Sequence, residues 1–217
     1  MFSVVIVAAG SGARTGLGYN KIFYRIKNKT LIEYSVAPFL SDEDVKEIVI
    51  VLSKEDMQEV RALFSHAKIK YVIGGSTRQK SVFNGLSLIG EKYVLIHDSA
   101  RPNIQKEDIE HVKSSVLEYQ AAVLYTPVKD SVVEYSGGQI NQYLDRNRVG
   151  LILTPQAFNS ELIKKAHSLA IKDKNDYKDD AELFSKELNL PVALVEGNEH
   201  NIKATTKLDL DLLEELL

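Results

Sequence analysis

Through its first half the chain alternates short β-branched apolar runs with segments of helical period, and this alternation constrains the fold more than any single motif. Candidate strands cover residues 2–7, 47–52, 70–73, 93–96 and 121–125. A run such as "EIVIVL" has no polar face, which suits a strand buried on both sides. Between the runs, Thr30 with Glu33 and Ser76 with Gln79 have the spacing of capping boxes. After the first box Ile32, Val36, Phe39 and Leu40 share a helical stripe; after the second, Val82, Leu86 and Ile89 do so. A further helix over 105–119 aligns Ile109, Val112 and Val116. The pattern predicts an α/β fold, a mainly parallel sheet with helices on both faces and right-handed crossovers. Ligands of such sheets bind beyond the carboxyl ends of the strands. There lie "AAGSGAR" after the first strand, "GGSTRQKS" after the third and "HDSARP" after the fourth.

The pattern changes near Ser131. "SVVEYSGGQINQYLD" reads as two strands around Gly137 and Gly138, an inserted hairpin, after which "GLILTPQ", a helix from about Ser160 and "PVALVEG" resume the layered order. A lone hairpin is marginal in water, so this arm, at about 131–147, needs a surface to pack on, and a second subunit is the natural one. With 217 residues, 44% of them hydrophobic, the chain has room for one sizeable core, so a single domain over 1–217 is expected. A net charge of -3 supplies no basic field for nucleic acid. The absence of cysteine rules out disulfides, thiol catalysis and thiolate metal sites. The apolar runs fall short of the roughly 20 residues of a membrane span, and no charged leader precedes the first strand. A soluble, cytoplasmic protein is expected.

"VVIVAAGSGARTGLGYNKIFY" carries the first chemical signal. Gly10-Ser11-Gly12 suggests a dinucleotide turn, but Thr15 stands where a third small residue should open a helix, and Ser53 and Lys54 stand where an acidic ribose ligand is wanted. A Walker loop is excluded because no Gly-Lys-Ser/Thr closes the segment. Gly10 and Gly12 do let backbone amides approach a triphosphate, with Arg14 and Lys21 as fixed cations beside them. The residues alone also allow a surface loop whose basic side chains are merely solvated.

Taken in order, "AAGSGAR…NK", "GGSTRQKS", "HDSARP", "PVKDS", "DRN", "LTPQ" and "NIKATT" resemble the 2-C-methyl-D-erythritol 4-phosphate cytidylyltransferase family over nearly the whole chain. The resemblance implies a Rossmann-like, nucleotide-diphospho-sugar transferase-like sheet. It also implies in-line attack of methylerythritol phosphate on the α-phosphorus of CTP, with Mg2+ bridging the triphosphate. Within it, Arg14 and Lys21 match the pair that stabilises the transition state and the leaving pyrophosphate. Ala8, Ala9, Gly10 and Gly12 match the backbone that receives the nucleotide, and Gly74, Gly75 and Ser81 the segment that reads cytosine. Asp98, Ser99 and Arg101 match a segment facing the sugar alcohol, Asp98 also serving the metal; for Arg101 a structural ion pair within its loop is the competing assignment. Arg146 and Lys203 match the cations that position the acceptor phosphate. The family's "DRN" arginine reaches the partner subunit's site, with Ser131 and Thr154 near it, so the resemblance implies a homodimer that shares its sites.

Three departures stand out. Asn20 replaces a frequent proline, implying a looser lysine loop; Ser76 replaces a frequent acidic residue; Ser131 replaces a frequent threonine. His97 is expected to pack or hydrogen-bond rather than act as a base, and His66, His111, His167 and His200 are expected at the surface. The nearest alternative is a cytidylyltransferase for another polyol phosphate such as ribitol 5-phosphate. A nicotinamide-dependent reductase and a catalytically silent nucleotide-binding module stand further off.

Overall fold

The strands are β1 (Phe2–Val7), a short ribbon of β2 (Arg25–Ile26) and β3 (Lys29–Thr30), β4 (Val45–Leu52), β5 (Ile69–Ile73), β6 (Tyr93–Asp98), β7 (Ala121–Pro127), β8 (Val132–Ser136), β9 (Gln139–Leu144), β10 (Gly150–Asn159) and β11 (Ala193–Glu196). The helices are α1 (Leu31–Leu40), α2 (Met57–Leu63), α3 (Arg78–Leu86), α4 (Lys106–Tyr119), α5 (Ser160–Asp173), α6 (Asp180–Leu188) and α7 (Lys207–Leu216). These come from a computed structural model, which describes residues 1–10, 12 and 15–217. Arg14 lies outside the described residues.

Seven strands form the main sheet in the order β11-β7-β10-β6-β1-β4-β5. β1 pairs in parallel with β4 and β6, β4 with β5, and β7 with β11. β10 runs antiparallel between β6 and β7. The mainly parallel, Rossmann-like sheet expected from the sequence is therefore present, with one reversed strand inside it.

The period of two along a strand divides the core. Phe2, Val4 and Ile6 of β1 join a cluster with Ile32, Val36 and Phe39 of α1 and Ile109, Val112 and Val116 of α4. Val5 joins Val82 and Leu86 of α3, Ile163 and Ala166 of α5, and Phe184 of α6 on the opposite face. Each fully buried side chain of this kind contributes about 1.5–3 kcal/mol relative to exposure, which is what sandwiches the sheet between helices. Among the described residues, no helix is long and apolar enough to cross a membrane.

Two local expectations are corrected. Thr30 and Glu33 do form the capping box of α1, but α3 is capped by Thr77, whose hydroxyl accepts from Lys80 N, and not by Ser76. Gln79 is drawn away to the loop before α6, donating to Asn175 O at 3.1 Å and accepting from Tyr177 N at 2.7 Å. His167 is fully buried on α5 rather than at the surface, packed between the helices of the second core cluster. His66, His111 and His200 are exposed.

β8 and β9 pair only with each other, as an arm on positive-φ glycines at Gly137 (φ 57°) and Gly138 (φ 78°). All of β9 is exposed. Tyr135 is 74% exposed and Tyr143 69% exposed, an apolar pair with no cover in a single chain.

Candidate active site

The carboxyl ends of β1, β4, β5 and β6 are tied together by hydrogen bonds. Ala8 N donates to Val51 O at 2.8 Å, Gly74 N to Leu52 O at 2.8 Å, and the Ser99 hydroxyl to Val7 O at 2.9 Å. Over this edge opens a cavity of about 570 Å³. Its walls include Ala8, Ala9, Gly10 and Gly12 from the first loop, Gly75 and Ser81 around the start of α3, and Asp98 and Ser99 at the end of β6. Lys21 and Lys203 line it as well.

Close approach explains the glycines. A Cβ on Gly74 would lie 2.5 Å from Ala9 Cβ and 2.9 Å from Ser81 Oγ, and one on Gly12, at φ +67°, would lie 2.9 Å from Lys21 N. The Ser81 hydroxyl accepts from Gly75 N at 3.1 Å and donates to Thr77 O at 2.9 Å, so the segment that would read a base is already folded around this serine. Gly74 supports the wall from behind Ser81 and is absent from the lining. Ser76 meets Lys80, whose Nζ lies 3.2 Å from its hydroxyl.

Lys21 begins a 3-10 turn over Lys21–Phe23. Asn20 caps that turn by accepting from Ile22 N at 3.2 Å, and its amide donates to Asp56 Oδ2 at 2.7 Å. Contrary to the loosening expected of it, Asn20 fastens the lysine turn to the loop after β4. Lys21 Nζ in turn donates to Ala204 O at 2.6 Å, and Ala204 N to Ala100 O at 2.8 Å, so the segment carrying Lys203 closes over the first loop.

The charges form a chain. Lys203 Nζ contacts Asp98 Oδ2 at 2.5 Å; Arg78 Nε meets Asp98 Oδ1 at 3.2 Å and its Nη1 meets Asp180 Oδ2 at 2.7 Å. Burial opposes ionisation of Asp98, yet the charges of Arg78 and Lys203 outweigh it and hold the carboxyl well below the usual carboxylate range. Arg78 is stabilised in its charged form: burial works against it and the charges of Asp180 and Asp98 overcome that.

Thr154 and His97 form the floor under Asp98. His97 Nε2 lies 3.0 Å from Arg101 O, and since a carbonyl only accepts, that nitrogen carries the proton. Nδ1 then accepts from the Thr154 hydroxyl at 3.0 Å, whose oxygen accepts from Asp98 N at 3.1 Å. Burial pushes the imidazole down to about 4, so at neutral pH it is an uncharged strut, as its sequence context suggested.

The remaining residues singled out by sequence do not line the cavity. Arg101 is outside the lining; its guanidinium donates to Asn201 O at 2.6 Å and Ile152 O at 3.4 Å, bracing the segment before Lys203 rather than pairing within its own loop. Thr154 is 4% exposed beneath Asp98, whereas Ser131 is exposed at the base of the arm. Arg146 sits in an exposed 3-10 turn, donating to Lys129 O at 3.0 Å. Sequence reasoning gave no role to Arg78 and Asp180. Arg78 was visible only as a basic residue inside "GGSTRQKS", and nothing adjacent to it announces a carboxylate 102 positions away.

The family model of 2-C-methyl-D-erythritol 4-phosphate cytidylyltransferase, IspD, matches residues 2–217. The enzyme of that name from Halalkalibacterium halodurans is 37% identical, the match covering 100% of this chain and 96% of the relative. That from Bacillus velezensis is 35% identical over 100% of this chain and 95% of the relative. Among solved structures, the 4-diphosphocytidyl-2C-methyl-D-erythritol synthase of Anaerococcus prevotii superposes with a TM-score of 0.89 at 26% identity, covering 100% of this chain and 97% of that one. The cytidylyltransferase of Thermus thermophilus gives 0.82 at 32% identity, covering 99% and 97%. A cavity of about 570 Å³ lined by two lysines over the edge of such a sheet, and sequence agreement running from the first strand to the last residue, lead to one assignment: the chain belongs to the 2-C-methyl-D-erythritol 4-phosphate cytidylyltransferase family.

Proposed function

We propose a division of labour among these residues for the family's reaction. The protein is a nucleotidyltransferase that transfers CMP from CTP to 2-C-methyl-D-erythritol 4-phosphate, giving 4-diphosphocytidyl-2-C-methyl-D-erythritol and pyrophosphate in the non-mevalonate route to isoprenoid precursors. The observation that carries the residue assignments is the single cavity shared by the glycine loop, the Gly75–Ser81 wall and the lysines Lys21 and Lys203.

In this reading the backbone from Ala8 to Gly12 receives the triphosphate, while Gly74, Gly75 and Ser81 frame the cytosine, whose small size and directional polar groups suit a tight wall. Lys21, with Arg14, neutralises charge as it moves onto the departing pyrophosphate; such help counts most in the transition state. Lys203 orients the acceptor phosphate, which is already ionised and needs no general base. Asp98 and Ser99 face the sugar alcohol, and Arg101 acts by bracing the segment that carries Lys203.

Mg2+ belongs to the same reading. Asp98 is the carboxylate in the cavity wall, and among the described residues no three His, Asp or Glu side chains gather to hold an ion alone. One carboxylate beside a triphosphate fits a magnesium ion that arrives with its nucleotide and keeps water and phosphate as most of its ligands. When bound, the ion supplies charge neutralisation along the triphosphate.

The chain is read as one domain over 1–217 with its arm at 131–147, cytoplasmic like its nucleotide substrate, and as a homodimer. Exposed Tyr135, Ile140 and Tyr143 give the arm an apolar face for a second subunit. Arg146, exposed beside that arm, is the cation such a partner's site would receive, with Ser131 at the base of the arm and Thr154, under Asp98, on the strand that follows it. The test is pyrophosphate release with CTP and magnesium. Release that depends on methylerythritol phosphate supports the assignment; release with ribitol 5-phosphate instead moves the acceptor, and release with neither favours a binding module.

A further inference from the structure

The chain of charges extends past the cavity wall, and its far end has no place in the reaction described so far. Asp180 is 1% exposed, at the first turn of α6, and every neighbour fixes it. Asp179, the residue before it, caps α6 through Ala181 N and Glu182 N, and its other oxygen accepts from the Gln156 amide at 2.6 Å. Gln156 in turn accepts from Ala181 N, joining the helix to β10. His167 Nε2 on α5 stands 3.4 Å from Asp180 Oδ1. The groups facing Asp180 are therefore Arg78 and His167, with Asp179 alongside.

Arg78 spans two carboxylates with a rigid fork, Nη1 on Asp180 and Nε on Asp98. Asp98 is thereby shared between an anchored cation and a more exposed one, since the Lys203 side chain is 38% exposed and that of Arg78 25%. An acceptor phosphate can draw Lys203 away only if Asp98 keeps a countercharge when the lysine leaves, since a buried, unpaired carboxylate would otherwise remain; Arg78 supplies one from the protein itself, whether or not a metal ion has arrived with the nucleotide.

We propose that Arg78, anchored by Asp180, is a positioning residue that holds the countercharge of Asp98 and so frees Lys203 to engage the acceptor phosphate. The inference rests on the assignment of Lys203 to that phosphate. It makes substrate entry an exchange of partners: Lys203 passes from carboxylate to phosphate while the Arg78–Asp98 contact stays in place. It also gives a purpose to the depth of Asp180, because an arginine held only by Asp98 would itself be drawn to the phosphates.

The experiment is steady-state kinetics on the full-length protein with each substrate varied in turn. Arg78→Gln and Asp180→Asn are each expected to raise KM for methylerythritol phosphate roughly tenfold and to lower kcat, the scale of one charge-assisted hydrogen bond, while KM for CTP changes by less than about twofold. General damage to the cavity would raise both KM values together, since the Ser81 and Asp98 walls belong to one pocket, and that result would overturn the proposal. Unchanged kinetics in Arg78→Gln would overturn it equally, and that variant carries the test should Asp180→Asn fail to fold. Lys203→Met separates the two assignments. If it leaves KM for the acceptor unchanged, the role of Lys203 falls and this inference with it; if it raises that KM while Arg78→Gln does not, only the inference falls.

Discussion

At the scale of single residues, the chemistry is a matter of which cation is held by what. Lys21 is delivered by a turn that Asn20 caps and ties to Asp56, so removing its ammonium leaves the turn's own bonds intact. Lys21→Ala is expected to keep its fold and bind CTP more weakly, while losing about 10²–10³ in kcat, the scale of one preorganised transition-state donor. Wild-type turnover in that variant would remove the lysine from the mechanism. Asp180 makes a different prediction. Burial opposes its ionisation, but the charge of Arg78 and the contact with His167 prevail and hold it below its ordinary 3.8. A carboxyl depressed in the folded state contributes stability above its unfolded value and loses it as pH falls through the folded one. Below about pH 4 the melting temperature of the wild type should therefore fall more steeply than that of Asp180→Asn, and parallel curves would contradict this. Sequence could name Lys21, Asp98 and Lys203 because each lies in a recognisable local motif. It could not reveal Arg78 as a bridge or His167 as buried, because both properties come from elements brought together only by the fold.

At the scale of elements, the apolar runs were a sufficient guide: β1 begins and ends where its run does, and β4, β5, β6 and β7 each extend one or two residues past theirs. Those extensions have a physical cause, since a ladder continues for as long as its neighbours offer partners, as at Ile6↔His97 and Val7↔Asp98 in a parallel pair and at Leu151↔Thr126 and Gly150↔Pro127 in an antiparallel one, where the side chains are no longer all apolar. The start of α3 misled because Ser76 and Thr77 are both good caps, and a tertiary contact recruited Gln79. The tight joint between β5 and α3 is the element most sensitive to volume. Gly74→Ala would press a methyl to within 2.5 Å of Ala9 Cβ, between the loop after β1 and the start of α3. A loss of about 1–3 kcal/mol is expected, at roughly 2–4 °C of melting temperature per kcal/mol, together with weaker CTP binding. Calorimetry with and without CTP reads both effects, and unchanged affinity would show that the joint does not shape the site.

At the scale of the whole molecule, Arg146 stands apart from the cavity of its own chain, on the surface beside an arm whose tyrosines face solvent. If a two-fold partner receives that arginine, inactive Arg14→Ala and Arg146→Ala chains, once mixed and allowed to exchange, should recover activity, because one site in each mixed dimer keeps both cations. No recovery despite demonstrated exchange of subunits would make each chain self-sufficient. The hairpin was legible from its paired glycines, but the exposure of its tyrosines was not, since exposure is decided by what the rest of the folded chain covers. β10 joins the two regions. It begins at Gly150 with Leu151 and Ile152 exposed, reverses the direction of the sheet, and carries Thr154 under the backbone of Asp98. The arm is thus a handle whose shaft is also the floor of the cavity: only the short covalent stretch from Ile152 to Thr154 separates the exposed start of β10 from the hydroxyl that accepts from Asp98 N.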